Sequence, residues 1–319
     1  MYKIKILNID SLDDKLWKSF HKFYTKTNNS LNQETYIEFY KTYINTLSHN
    51  TIKYEVLIKS KKIIGRIETH ISNPKSIKEV HSINFLFLND IDISSLEGIL
   101  SKYINIVKLS INEIKIETNN IAITDIAKKA NFKLTNKLID FTLKLSNLEK
   151  NQLDVFQKIK INNIQYDIVS QLTNTEIEDL SIIYSSLLND MERENTNQEF
   201  TITSKELFNY FSISSKFNKK ILFILLKDTN DKIVGFSYVD FNINDNVAYQ
   251  QFTGVTKKFR NNDLSYFLKS KLYLHLLNNE PQIEYVKTDC FEKNKPIIKV
   301  NTVFGFKIDR IVNELYFKK

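Results

Sequence analysis

Two kinds of apolar period alternate along this chain, and they alternate in the same order twice. Near the start, Lys3–Asn8 reads as a strand. Leu12, Trp17, Phe20 and Phe23 then fall on one helical face, with Ser11 and Asp14 as the starting signal. A second helix is predicted over about Gln33–Leu47, followed by strands near Lys53–Ser60, Lys62–Ile71 and Lys78–Leu88. Ser94 with Glu97 predicts the cap of another helix. After it come a strand Glu113–Thr118, a short helix ending at Ala130, and a strand Asn131–Leu145.

The second half repeats the plan. Strand Gln165–Ser170 leads to a helix opened by the capping box Thr173…Glu176, with an apolar stripe of Ile177, Leu180, Tyr184, Leu187 and Leu188. A second box, Thr203…Glu206, opens the next helix. Strands near Lys220–Asp228, Lys232–Asn242 and Asp245–Val255 follow. A helix carrying Leu264, Phe267, Leu268, Leu272 and Leu276, another strand, and a helix with a Gly-Phe exit close the pattern. Residues repeat as well as periods: Lys62-Ile63-Ile64-Gly65 recurs as Lys232-Ile233-Val234-Gly235, and Thr118 as Thr288, both at an offset of about 170 residues. Ala130-Asn131-Phe132-Lys133 answers Phe304-Gly305-Phe306-Lys307. The expectation is an α/β chain of two tandem domains with mixed sheets: residues 1–146, a linker 147–163, and 164–319.

Composition narrows the function classes. Hydrophobic content of 42% with 26% charged residues is that of a folded soluble protein, and no run approaches the roughly 18 apolar residues of a membrane span. The first residues lack the apolar core of a secretory leader, and the single cysteine, Cys290, excludes an internal disulfide; a cytoplasmic location is expected. The net charge of +8 is spread along the chain, which suits an anionic ligand and argues against a dedicated nucleic-acid surface. The five histidines show no ligand spacing, so no metal is expected. Oligomeric state is not legible.

The chemistry concentrates in two segments. Thr253–Ser265, TGVTKKFRNNDLS, is a strand that breaks into an arginine-bearing turn opening a helix. Thr288–Phe306, TDCFEKNKPIIKVNTVFGF, is a strand end, a polar loop, a helix and a glycine exit. A turn at a helix N-terminus is suited to phosphate, because free N–H groups and the helix dipole both point at it. These segments resemble the GNAT superfamily of acetyl-CoA-dependent N-acetyltransferases, and within it the tandem branch. Thr288, Asn294, Pro296, Ile297, Asn301 and Phe304-Gly305-Phe306 fall in register with a tandem-branch pattern, T-x5-N-x-P-M-x3-N-x2-L-G-F. Arg260-Asn261-Asn262-Asp263-Leu264-Ser265 occupies the place of the family's pyrophosphate loop, Q/R-x-x-G-x-G/A.

The resemblance implies an acetyl-CoA site formed by Thr253, Gly254, Val255, Arg260, Asn261, Asn262, Asp263, Leu264, Ser265, Thr288, Asn294 and Asn301. It implies that strand 250–255 splays from its neighbour at a bulge near Gly254, where backbone groups hold the pantetheine arm. It also implies direct acetyl transfer to an amine of a small molecule or peptide. Three departures stand out: Asp263 replaces the first loop glycine, and Gln251 and Asn301 stand where a carboxylate and a tyrosine are common. Asn262 or Asp263 could equally be a plain helix cap. Asp190, Glu192 and Glu194 form an acidic loop that would hold a cationic amine or accept its proton, or simply be a solvated turn. Between Ser82 and Gly98 the first half has no such turn, so that domain is expected to be degenerate. Two alternatives stay open: a ligand-sensing module without chemistry, and a transferase using aminoacyl-tRNA on the same doubled fold.

Overall fold

The computed structural model describes residues 5–8, 11–27, 50–72, 79–88, 91–148, 153, 155–156, 158–159, 163–190, 201–216, 218–260 and 262–319. The expected helix over Gln33–Leu47 lies outside these residues. The chain forms two compact units: Met1–Leu138 with Ile311–Lys319, and Ile139–Arg310.

The first unit contains β1 (Lys5–Asn8), α1 (Asp14–Thr27), β2 (Asn50–Lys59), β3 (Lys62–Ser72), β4 (Val80–Phe87), α2 (Glu97–Ser110), β5 (Glu113–Thr118) and α3 (Ile121–Lys129). Strands β1 to β4 pair antiparallel in sequence order, and β5 adds parallel to β4. Leu57, Ile67, Ile83, Ile114 and Ile116 bury one sheet face against Leu100 and Ile104 of α2 and Ile123 and Ile126 of α3. The other face holds Tyr54, Val56 and Ile63 against Leu12, Phe20 and Phe23. Two expected caps form differently. Asp13, not Ser11, accepts from the Leu16 N–H (2.8 Å), while the Ser11 hydroxyl donates back to Asn8. Helix α2 starts at Glu97 after a 3-10 turn, and its N-cap Leu96 makes no side-chain cap.

After α3, β6 (Lys133–Lys144) runs from the first unit into the second. The second unit continues with β7 (Ile164–Val169), α4 (Asn174–Asn189), α5 (Ser204–Lys216), β8 (Lys219–Asp228), β9 (Ile233–Asn242) and β10 (Val247–Val255). Then come α6 (Leu264–Asn279), β11 (Tyr285–Phe291), α7 (Lys295–Val303) and β12 (Lys307–Lys318). Pairing repeats the first unit: β7 to β10 antiparallel in order, with β11 parallel to β10. Both capping boxes form at the N-termini of α4 and α5. Strand β8 reads as a continuous apolar run because both sheet faces are covered: Leu222, Ile224 and Leu226 pack with α6, and Ile221, Phe223 and Leu225 with α4 and α5.

The duplication reaches fine detail. In the β2–β3 hairpin the register slips between Leu57 and Ile58, opposite Gly65 and Ile63; in β8–β9 it slips between Leu226 and Lys227, opposite Gly235 and Ile233. The α3 and α7 exits are the same Schellman turn. Asn131 (φ 65°) and Gly305 (φ 81°) are left-handed, and the Phe132 and Phe306 N–H groups reach back to the Ala127 and Asn301 carbonyls.

One feature the periods do not carry is where the last strand goes. Asn313–Lys318 pairs with Thr118–Glu113, buries Leu315, and is held by Tyr316 and Lys318 on Glu113 (2.5 and 2.6 Å). Compactness therefore divides the chain at 138/139 and 310/311, whereas the expected boundaries near 146 and 164 follow the repeat.

Candidate functional site: a split between two parallel strands

Strands β10 and β11 pair only through Val247↔Tyr285, Ala248↔Val286 and Tyr249↔Lys287. From Gln250 onward β10 keeps its β9 partner but has no β11 partner. At the apex the Thr288 hydroxyl donates to the Gln250 carbonyl (3.0 Å), a side-chain rung where the backbone ladder stops. The register between β10 and β9 slips at this point, leaving Gln251 as the extra residue. The bulge is thus at Gln251, not at Gly254. Gly254 serves packing: a Cβ there would lie 2.6 Å from the Phe252 ring and 2.7 Å from Leu187. A bulge twists the strand it sits in, and one free edge leaves backbone N–H and C=O groups of β10 available to an extended ligand.

Beyond the open edge, a 3-10 turn Lys257–Phe259 leads to the start of α6. Asp263 is its N-cap in the left-handed conformation (φ 55°, ψ 18°) and makes no side-chain cap. The backbone therefore adopts the shape that glycine takes most readily, with an aspartate in place. Asn262 is not the cap either; its side chain donates to the Phe259 carbonyl (3.3 Å). The Asp263 carbonyl accepts from Tyr266 and Phe267, whereas the Leu264 and Ser265 N–H groups, at the helix start, lie outside the intrahelical ladder. Asn261 lies outside the described residues. Arg260 donates from Nε to the Val255 carbonyl (3.1 Å), tying the turn to the end of β10.

Its second contact is with Asp190. Asp190, the C-cap of α4, binds Arg260 and Lys257, each at 2.7 Å. The hydrogen bond from Lys257, then that from Arg260, holds its carboxyl below the usual range. Glu192 and Glu194 lie outside the described residues.

On the other flank, Asn294 caps α7 by accepting from the Ile297 N–H (3.4 Å), with Pro296 in the first turn. Asn301 is fully buried, and its Oδ1 accepts from Lys269 of α6 at 2.6 Å. Lys269 is 1% exposed and hydrogen-bonds no carboxylate among the described residues; burial draws its ammonium down to about 7. Thr253 bonds the Ser237 hydroxyl (2.8 Å), and Val255 and Leu264 are core residues.

Sequence reasoning missed two charged groups here. Lys269 sits beside the apolar stripe of α6 and reads as solvated. Asp240, 1% exposed on β9, accepts from Tyr210 and Lys219 (2.7 Å each) and from the bulged Gln251 (2.9 Å). The one available signal for Asp240 was an acidic residue inside an otherwise buried strand. A carboxylate only accepts, so Asp240 turns the Gln251 amide to present its oxygen outward.

Two domains of one plan, the second split between its fourth and fifth strands above a helix that starts on a left-handed turn, define the tandem GNAT fold. No protein-family model and no curated protein matches the sequence. Among solved structures, a tandem GNAT protein from the clavulanic acid biosynthesis pathway, solved without acetyl-CoA, superposes with a TM-score of 0.76 at 11% identity, covering 99% of this chain and 98% of the other. A GCN5-related N-acetyltransferase from Sphaerobacter thermophilus gives 0.63 at 8% identity, covering 99% and 95%. A probable N-acyltransferase of unknown function from Enterococcus faecalis gives 0.54 at 10% identity, covering 99% and 72%. At such identities the likeness is one of fold. Among the described residues no group of side chains could hold a metal and no helix is long and apolar enough to cross a membrane.

Proposed function

We propose that the second unit binds acetyl-CoA and transfers its acetyl group to an amine of a small molecule or peptide. The observation that carries this reading is the β10–β11 split, whose open edge leads to the left-handed start of α6. The pantetheine arm would pair with the free β10 edge, and the pyrophosphate would take the Leu264 and Ser265 N–H groups with Arg260 alongside. Acetyl-CoA supplies an activated acyl thioester. The protein's own part is to orient it, exclude water around it, and let the amine nitrogen attack directly without a covalent enzyme intermediate. Cys290 fits that scheme: it is buried, and burial pushes its thiol up to about 12, which leaves it a poor nucleophile.

The Asp263 carboxylate opposes a phosphate, and Asp190 competes for Arg260; both predict affinity weaker than a glycine turn would give. Calorimetry with acetyl-CoA, followed by mass spectrometry of products from polyamines, aminoglycosides and peptide N-termini, tests the reading. Binding with acetylation of an amine supports it. Binding without any acetylation favours a ligand-sensing module, and no binding removes the reading altogether.

A further inference from the structure

The extra residue at the β10 slip has an exposed side chain that the interior holds in one orientation. Gln251 donates from Nε2 to Asp240 Oδ1 (2.9 Å), and Asp240 is 1% exposed. The other carboxylate oxygen takes the Tyr210 hydroxyl from α5 and the Lys219 ammonium from β8, each at 2.7 Å. Fixing a glutamine side chain costs rotamer freedom. Here it is fixed with its amide oxygen, the only acceptor it carries, turned away from Asp240 and toward solvent.

The position gives that oxygen a use. The β10–β11 ladder ends at the Thr288 rung on the Gln250 carbonyl, so an acyl-bearing arm laid along the open edge from the α6 turn ends beside Gln251. The bonds through Asp240 to Tyr210 place the amide on the sheet face that α4 and α5 cover, opposite α6. Tyr249, in register with Asp240, shares that face, and its ring is 45% exposed. Burial, then the nearby Asp245 and Asp240, pushes its phenol up, so the ring stays uncharged at neutral pH. Lys219 offsets the charge of Asp240, so the buried pair contributes direction rather than net charge. What the corner offers is a fixed hydrogen-bond acceptor next to a flat ring.

We propose that Gln251 selects the acceptor. Its amide oxygen takes an N–H of a primary amine, Tyr249 carries the flat apolar body of that amine, and Asp240 is the positioning residue that keeps the amide from turning over. This rests on the acetyl-transfer reading above and narrows its substrate to primary amines on an aromatic or similar planar group. An unheld glutamine presents its NH2 as readily as its oxygen, and an NH2 gives an amine donor nothing to bond; the Asp240 contact removes that orientation, because a carboxylate only accepts.

Phenethylamine is the probe, titrated by calorimetry into the full-length protein loaded with CoA and used as acceptor in steady-state acetylation, with ethylamine as the ringless comparison. Gln251→Leu should weaken phenethylamine binding and raise its KM about tenfold, with kcat changed less and acetyl-CoA affinity unmoved. Tyr249→Ala should cut the preference for phenethylamine over ethylamine several-fold. In Asp240→Asn, Lys219 and Tyr210 keep the new amide oxygen, so its Nδ2 faces Gln251 and turns that oxygen inward; binding should weaken as in Gln251→Leu. The exchanged pair, Gln251→Glu with Asp240→Asn, returns a fixed oxygen to the corner and should restore binding, a rescue that a packing role alone would not give. Should the Asp240 variants unfold, the exposed Gln251 and Tyr249 decide. Equal phenethylamine affinity in wild type and Gln251→Leu overturns this proposal, as does a wild type that acetylates spermidine and leaves phenethylamine unbound; both results leave the functional reading standing. A wild type that binds no acetyl-CoA overturns both.

Discussion

The two units cross from their fourth to their fifth strand in opposite ways. In the first, β4 and β5 stay paired over five rungs, Val80↔Glu113 to Asn84↔Glu117, and β4 joins β3 without a slip. In the second, the equivalent pair stops after three rungs, and the slip at Gln251 turns the strand aside. The helices that follow differ in the same sense. Helix α2 grows out of a 3-10 turn through a right-handed Leu96 and carries Glu97 in its first turn, bonded to Lys129 at 2.5 Å. Helix α6 begins at a left-handed residue and has no acid in its first turn. One topology thus serves twice, and a single extra residue in a strand, with one left-handed turn, separates a closed crossover from a split one.

The contrast can be broken at its glycines first. Gly254→Ala drives a methyl into the Phe252 ring, itself stacked on Phe236, and into Leu187. A loss of about 1–3 kcal/mol is expected in thermal or urea unfolding. Gly98, inside α2 with nothing within 4 Å of its would-be Cβ, should gain about 0.5 kcal/mol as alanine. Equal effects at the two positions would show that the second unit is not packed as tightly at its split.

A pH slope comes next. The folded pKa of Lys269, about 7, lies below its ordinary lysine value, so between pH 7 and the unfolded pKa the unfolded chain binds the extra proton. Stability of the second unit should therefore rise with pH through that window, by about 1.4 kcal/mol per pH unit at most. It is lowest below pH 7, where the buried ammonium must be carried. Chemical denaturation of wild type and Lys269→Met at several pH values should show the slope in the former and a flatter line in the latter.

A smaller effect sits at the turn. Asp263→Gly relieves the left-handed strain and removes a like charge from the phosphate site, so it should stabilise the fold by about 1 kcal/mol and tighten acetyl-CoA binding several-fold. Weaker binding would mean that the carboxylate supports the turn. Smallest of all, Asp190→Asn frees Arg260 and Lys257 from a largely solvent-screened ion pair and should tighten binding by about twofold, since exposed pairs contribute little. An unchanged affinity would place both cations away from the phosphates.

Much of this contrast was legible in the residues. The capping boxes at Thr173 and Thr203, the paired hairpins at Gly65 and Gly235, and the matched exits at Asn131 and Gly305 rest on local chemistry, and local chemistry reads directly from sequence. What escaped has non-local causes. The slip that makes Gln251 a bulge depends on two strands losing register, which neither strand's own pattern carries. Lys269 and Asp240 are charged residues inside packed layers, and a hydrophobic–polar reading places such residues in water. The pairing of β12 with β5 joins residues far apart in the chain, so no period records it. The ion pairs of Asp190 with Arg260 and Lys257 join segments about 70 residues apart, so the acidic loop alone does not record them.

The central claim is that the ligand cradle exists in the second unit alone, and a calorimetric titration of the full-length protein with acetyl-CoA, wild type beside Ser265→Glu, tests it most directly. A glutamate in the first turn of α6 suits the helix dipole and leaves the fold intact, while its charge confronts the phosphates. The account predicts one acetyl-CoA per chain, lost in Ser265→Glu; two per chain, or binding that survives the substitution unchanged, would contradict it.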